Sequence, residues 1–282
     1  MLAIEGTGGA NEHAIDGILP FAPLLRTLDW QYLPFSLAST PSSYLTTLYV
    51  DGDVSFDVPP ETLGRFLETC PSLCSLVIDQ YMSLGATLSF NPPTFHLPQL
   101  HTYATDAESL LLFRNTTSLP ALRNLRLRGC SSSIEFETML RFRHIHLLTS
   151  LQLKDCHPTA ELMDEVLRAT ANLVDLSFNN CVLFTPPSLS GPPRICLKLR
   201  KFDMVSTYIK DPQSFLDFIR ARTGGATEVS MLESVSFGIV DGLSEEEVNE
   251  LKDLFKDIPW VLRSFDVRYE YSEDMYYYVS DG

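Results

Sequence analysis

The chain has 282 residues, of which 45% are hydrophobic, and a formal net charge of −15 at pH 7. No apolar run approaches the ~18 residues that a bilayer-crossing helix needs. The opening Met-Leu-Ala-Ile-Glu lacks the basic flank and apolar stretch of a signal peptide, and so acidic a chain repels nucleic acid and anionic membrane. A cytoplasmic or nuclear protein with neither as a partner is the expectation.

Residues 1–20 read as a loosely ordered segment. From residue 21 onward one phrase recurs: a leucine, two residues, an apolar position, one residue, then another apolar position. It runs Leu25/Leu28/Trp30, Leu45/Leu48/Val50, Leu73/Leu76/Ile78, Leu100/Tyr103/Thr105 and Leu122/Leu125/Leu127. It continues with Leu148/Leu151/Leu153, Leu173/Leu176/Phe178, Leu199/Phe202/Met204, Leu232/Val235/Phe237 and Leu262/Phe265/Val267. The leading residues stand 20 to 33 positions apart. Apolar positions two apart share one face of a strand, so each phrase predicts a short strand with a buried row.

Helical spacing marks several returns between these strands. Leu63, Phe66, Leu67 and Cys70 predict a helix over 61–70, and a short one fits 107–113. Ile134, Phe136, Met139 and Leu140 support 134–143, and Leu162, Val166 and Ala169 support 160–170. Asp211-Pro212 is a helix-start pair ahead of Phe215, Phe218, Ile219 and Arg222. Ser244-Glu-Glu-Glu247 reads as a capping box opening 245–256, with Val248, Leu251 and Phe255 facing in. Proline and serine make 31–44 and 182–198 irregular.

A fixed phrase at this period is the signature of a leucine-rich-repeat solenoid. The expected fold is α/β: a horseshoe of about ten repeats over 21–268, with a parallel β-sheet on the concave face. Helices and irregular returns occupy the convex face, and 269–282 forms an acidic, tyrosine-rich cap or tail. Stacking is obligatory. Ordering one repeat costs about 1–2 kcal/mol per residue in backbone entropy, while three buried aliphatics return only about 1.5–3 kcal/mol each. Neighbouring repeats therefore stabilise one another.

Cys130, Cys156 and Cys181 follow successive strands at the same position, so reduced, buried thiols stacked along one edge are expected. Cys70 and Cys74 have no second pair, Cys196 is alone, and no metal site or cofactor is expected. Catalysis also lacks a motif. Gly6-Thr-Gly8-Gly9 has no following lysine, no serine sits in a nucleophile elbow, and His96, His101, His144 and His146 have no ligand spacing.

Charge is unevenly placed: residues 1–120 carry −9, 121–230 carry +3 and 231–282 carry −9. The positions between inward residues point to the open face of the sheet. There Asp29, Tyr49, Asp51, Asp79 and Asp106 give way to Arg126, Arg128, Gln152, Lys154 and Asn179. Adjacent strands lie about 4.8 Å apart, so like charges there disfavour folding slightly and a partner-facing role is attractive. The alternative is that these residues keep an exposed sheet soluble. Tyr269-Glu-Tyr-Ser-Glu-Asp-Met-Tyr-Tyr-Tyr reads as a cap over the last repeat, or as a docking strip or phosphorylation target.

In Leu67-Glu-Thr-Cys70-Pro-Ser-Leu73-Cys-Ser-Leu76, Leu97-Pro-Gln-Leu100, Leu119-Pro-Ala-Leu122-Arg-Asn-Leu125 and Leu167-Arg-Ala-Thr-Ala-Asn-Leu173-Val-Asp-Leu176, the chain resembles the repeat region of fungal, mushroom-type F-box proteins. The likeness covers residues 20–268. It implies a noncatalytic, substrate-binding part of a ubiquitin-ligase receptor with a protein partner. An F-box itself would show a Leu-Pro-x-Glu opening and a later Trp-Arg, which residues 1–24 do not carry. A Skp-type adaptor is thus expected only if an F-box is encoded upstream. A stand-alone repeat scaffold, as in regulators of GTPases or actin, is the alternative. An enzyme subunit using the 182–198 loops is the remote one.

Overall fold

The computed structural model describes residues 2–5, 24–31, 43–51, 60–79, 96–115, 118–183, 196–223, 232–238, 240–256 and 260–262. In chain order the elements begin with β1 (Leu2–Glu5), β2 (Thr27–Gln31), β3 (Thr47–Asp51), α1 (Pro60–Glu68), β4 (Ser75–Asp79) and β5 (Thr102–Asp106). There follow α2 (Ala107–Leu110), β6 (Asn124–Arg128), α3 (Ser133–Leu140), β7 (Ser150–Lys154), α4 (Ala160–Ala169), β8 (Asp175–Asn179) and β9 (Val182–Leu183). The last are β10 (Lys201–Val205), β11 (Thr207–Ile209), α5 (Pro212–Thr223), β12 (Ser234–Phe237), β13 (Val240–Asp241), α6 (Glu245–Leu254) and β14 (Trp260–Leu262).

Eleven strands form one open sheet in the order β1-β2-β3-β4-β5-β6-β7-β8-β10-β12-β14. Every pairing is parallel. Each strand pairs with the strands of the phrases before and after it in sequence, a solenoid-like arrangement. A second, three-stranded parallel sheet runs β13-β11-β9.

The inward rows are as the phrase predicts. Leu28, Leu48, Leu76, Tyr103, Leu125, Leu151, Leu176, Phe202 and Val235 stand in register and are buried. Two residues on, Val50, Ile78, Thr105, Leu127, Leu153, Phe178, Met204 and Phe237 are buried as well. Toward the C-terminal end the ladder turns aromatic: Phe202 lies 5.7 Å from Phe218 and 6.1 Å from Phe178, ring centre to ring centre. Phe237 lies 5.7 Å from Phe255 after α6.

The helices close the other side of this core. In α1, Leu63, Phe66 and Leu67 are buried, with Cys70 just beyond. In α5, Phe215, Phe218, Ile219 and Arg222 are buried, as their spacing predicts. The Arg222 guanidinium donates to the Cys196 carbonyl at 2.8 Å and lies 5.4 Å from the Phe218 ring centre. Burial pushes its pKa down. The capping box of α6 is present: Glu247 N–H donates to Ser244 Oγ at 3.3 Å, and Ser244 N–H donates to Glu247 at 2.7 Å.

The chain leaves β6, β7, β8 and β10 through equivalent left-handed residues, Gly129, Asp155, Asn180 and Ser206, with φ of 71°, 53°, 51° and 49°. Their N–H groups step along the stack. Gly129 donates to the Lys154 carbonyl, Asp155 to Asn179, and Asn180 to Val205, at 2.8–2.9 Å. The residue after each turns inward. Cys130, Cys156 and Cys181 are buried and reduced there, and Thr207 takes the same place after β10. Cys156 donates to the carbonyls of Lys154 (3.1 Å) and Leu127 (3.7 Å). Cys181 donates to those of Asn179 and Leu153, both at 3.4 Å.

Four expectations change. The segment 1–20 contributes a strand, because Leu2 and Ile4 alternate in register with Leu28 and Trp30. The last phrase is displaced: Trp260 and Leu262 pair with Val235 and Phe237, so Leu262 fills the third apolar position instead of opening the phrase. Trp260 lies 25 residues after Val235, close to the spacing of the central strands, and Phe265 and Val267 lie outside the described residues. Val182–Leu183, read as irregular, forms a strand against β11. In α4 the expected residues do meet the core, Val166 buried and Leu162 and Ala169 partly so, and Met163 and Leu167 are buried beside them. In α3, Ile134 is exposed. The remainder of 31–44 and of 182–198, and the 269–282 tail, lie outside the described residues apart from Gln31, Ser43, Tyr44 and 196–198.

Candidate functional site

With one face of the large sheet buried, the alternate residues of each strand build the other face. Its first row reads Asp29, Tyr49, Val77, Ala104, Arg126, Gln152, Ser177, Asp203 and Ser236 in strand-to-strand register. Val261 completes it, in the place the displaced phrase had assigned to Asp266. A second row places Gln31, Asp51 and Asp79 in register, and Asp106, Arg128, Lys154, Asn179 and Val205 likewise. Asp79 and Asp106 each follow the Ile78–Thr105 rung, which joins the two runs.

The ten candidate residues therefore share one face, but they are not equivalent. Asp29, Tyr49 and Gln152 are half-buried, and Asp51 holds its register position on β3. Asp79, Arg126, Arg128, Lys154 and Asn179 are exposed. Asp106 departs from the expectation. It is buried, its carboxylate accepting from Ser109 N–H at 2.7 Å and Ser109 Oγ at 3.0 Å. The cause is local: β5 runs straight into α2, and a carboxylate at that junction is held by the orphan donors of the first turn.

The expected confrontation of acids and bases takes a specific form. Arg128 donates to Asp79 at 2.9 Å and approaches Asp155 at 3.5 Å. Arg126 Nε donates to Gln152 at 2.8 Å. Among the described residues the Lys154 ammonium has no hydrogen-bond or ion-pair partner. Further along, Ser177 donates to Asp203 at 3.0 Å. Burial pushes the neighbouring Asp175 carboxyl up, and Asp203 adds to this against the pull of Lys201.

Asp155 was not among the candidates. It lies in the left-handed turn after β7, outside the alternating pattern, where it also accepts from Asn180 at 2.7 Å. Its place after the strand end, equivalent to Gly129 and Asn180, is the signal that could have found it.

Chemically, the face offers guanidinium, ammonium, amide and carboxylate groups fixed on a rigid sheet, suited to binding polar segments. Among the described residues no group of three or more His, Cys, Asp or Glu is arranged to hold a metal ion, and no helix is long and apolar enough to cross a membrane. Comparison with models of known protein families and with curated proteins finds no match.

Proposed function

We propose that this chain is a noncatalytic leucine-rich-repeat recognition module of about ten repeats, binding a protein partner across the polar, concave face of its sheet. The observation that carries this reading is the division of the sheet. One face is a continuous buried ladder, and the other carries its alternate residues in register over β2–β10, with exposed polar side chains at Asp79, Arg126, Arg128, Lys154 and Asn179. A rigid sheet holds such side chains without the ordering cost that a flexible loop incurs on binding.

The partner is the substrate of an F-box-like ubiquitin-ligase receptor, of which this chain is the substrate-binding part. The repeat phrases support that assignment through their resemblance to the mushroom-type F-box proteins. The test is affinity purification from source cells with the native chain and with an Arg126→Glu/Arg128→Glu variant that keeps its thermal transition. The expected result is a protein partner lost from the variant alone, with a Skp-type adaptor accompanying the full gene product. An unchanged set of partners removes the face from consideration. A partner without adaptor favours a stand-alone scaffold.

A further inference from the structure

The cations of the sheet face differ in what already satisfies them. Arg128 is neutralised from both sides, by Asp79 and Asp155. Lys201 lies close enough to Asp175 to pull its titration down. Arg126, by contrast, meets only the neutral Gln152 carbonyl oxygen among the described residues. Lys154 meets no partner among the described residues. Both are exposed, and their rung neighbours are Ala104, Gln152, Arg128 and Asn179, none of them acidic.

Their placement sets the geometry of a ligand. Arg126 is opposite Gln152, and Lys154 lies two residues beyond Gln152 on β7. Diagonal neighbours of that kind stand roughly 7–8 Å apart. In an extended peptide, side chains two residues apart project to the same side and are separated by about 6.6 Å. Two carboxylates in an alternating pattern match this pair. The net charge of −15 opposes an acidic ligand at long range. At physiological salt, charges beyond about 8 Å are screened, so the local pair decides at contact. Toward β5 the neighbouring Ala104 is buried, and the Asp106 carboxylate is held by Ser109.

We propose that Arg126 and Lys154 seat two carboxylates, two residues apart, of an extended acidic segment of the partner protein. This rests on the sheet face being the recognition surface. The guanidinium of Arg126 receives one carboxylate through paired N–H donors. The ammonium of Lys154 receives the other as a point charge. Asn179 supplies a neutral amide next to Lys154, which favours an acidic residue there over a basic one.

The test uses the full chain and a fluorescein-labelled ten-residue peptide of alternating glutamate and serine, followed by fluorescence anisotropy at physiological salt. The peptide binds the native protein. An Arg126→Gln/Lys154→Gln variant binds about tenfold more weakly or worse, and the matching glutamine–serine peptide does not bind. Arg143→Glu, away from the strands, leaves binding unchanged. Circular dichroism confirms that both variants fold. Equal binding by the double variant, no binding by the native chain, or preference for a labelled single-stranded RNA each overturns the inference. A photo-crosslinking residue at Asn179, with one at Glu161 on α4 for comparison, separates the two levels. A partner captured at Asn179 through a segment without alternating acids overturns the acidic ligand and leaves the recognition face standing. Capture only at Glu161 removes the face itself.

Discussion

Arg128 on β6 reaches over β5 to Asp79 on β4, a contact of 2.9 Å between residues 49 apart in sequence, although Asp106 is its direct neighbour on the rung. The skip has a clear cause. Asp106 is occupied with Ser109, so the nearest accessible carboxylate is one strand further away. A row that reads in sequence as acids facing bases is thereby already compensated at its centre.

Both side chains of that pair remain about half exposed, at 48% and 45%. Exposed pairs contribute little, so a double-mutant cycle with Asp79→Asn and Arg128→Gln is expected to give a coupling of no more than about 1 kcal/mol. The coupling shrinks in roughly 1 M salt, because exposed charges are screened. Urea denaturation at low and high salt measures it. A salt-independent coupling would contradict this account.

Asp106 has a structural role distinct from that of its neighbours. Asp106→Ala removes the acceptor for Ser109 at the β5–α2 junction and is expected to cost about 0.5–2 kcal/mol, as loss of a helix cap does. Asp106→Asn retains one carbonyl oxygen and loses less. Neither change alters partner capture in the affinity experiment, whereas Arg126→Glu does.

Among the described residues, the left-handed glycines Gly129 and Gly242 differ in what surrounds them. Around Gly129 a Cβ would meet nothing within 4 Å, and Asp155, Asn180 and Ser206 already occupy equivalent turns. Gly129→Asn is therefore close to neutral, since asparagine tolerates this conformation. At Gly242, with φ of 91°, a Cβ would fall 2.2 Å from the Ile209 carbonyl oxygen. Gly242→Asn and Gly242→Ala both lose about 2 kcal/mol or more, through strain plus a backbone clash. Thermal unfolding of the three variants orders them.

The inward thiols predict a dependence on both residue type and pH. Thr207 fills the cysteine position after β10 and donates to the Val205 carbonyl at 3.0 Å. Cys181→Thr is thus tolerated better than Cys181→Ala, which removes the donor and leaves a void costing roughly 1–2 kcal/mol. Burial pushes the Cys70 thiol up to about 11 and those of Cys181 and Cys196 up to about 12. The folded chain holds these protons more tightly than the unfolded chain. The associated stability is complete below the ordinary thiol value and is lost as pH rises toward those numbers. Urea midpoints should stay level through neutral pH and fall above about pH 9. Iodoacetamide should reach half-buried Cys74 before the five buried cysteines.

Much of the strand stack was legible because it is written as a local pattern. Nine of the ten phrases have strands where their second and third apolar positions predict them. The capping box of Ser244 and the Pro212 start of α5 were equally readable, since both act within one turn of helix. Leu262 was misplaced because Trp260-Val-Leu262 and Phe265-Asp-Val267 both alternate, and only pairing with Val235–Phe237 separates them. In α4 the spacing found Leu162, Val166 and Ala169, which all meet the core, and packing adds Met163 and Leu167 as more deeply buried neighbours.

The order of side chains along the chain was enough to place Arg126, Arg128, Gln152, Lys154 and Asn179 on one face, because strand alternation is a property of the backbone. Their partners were beyond its reach. Arg128 takes Asp79 and Asp155, Arg126 takes Gln152, and Asp106 turns to Ser109. Each choice depends on distances between strands roughly 25 to 50 residues apart, or on where a helix begins beside a strand, and electrostatic pairing falls off over a few ångströms. Register brings these groups within that range, and so the stacked sheet sets which cations remain open to a ligand.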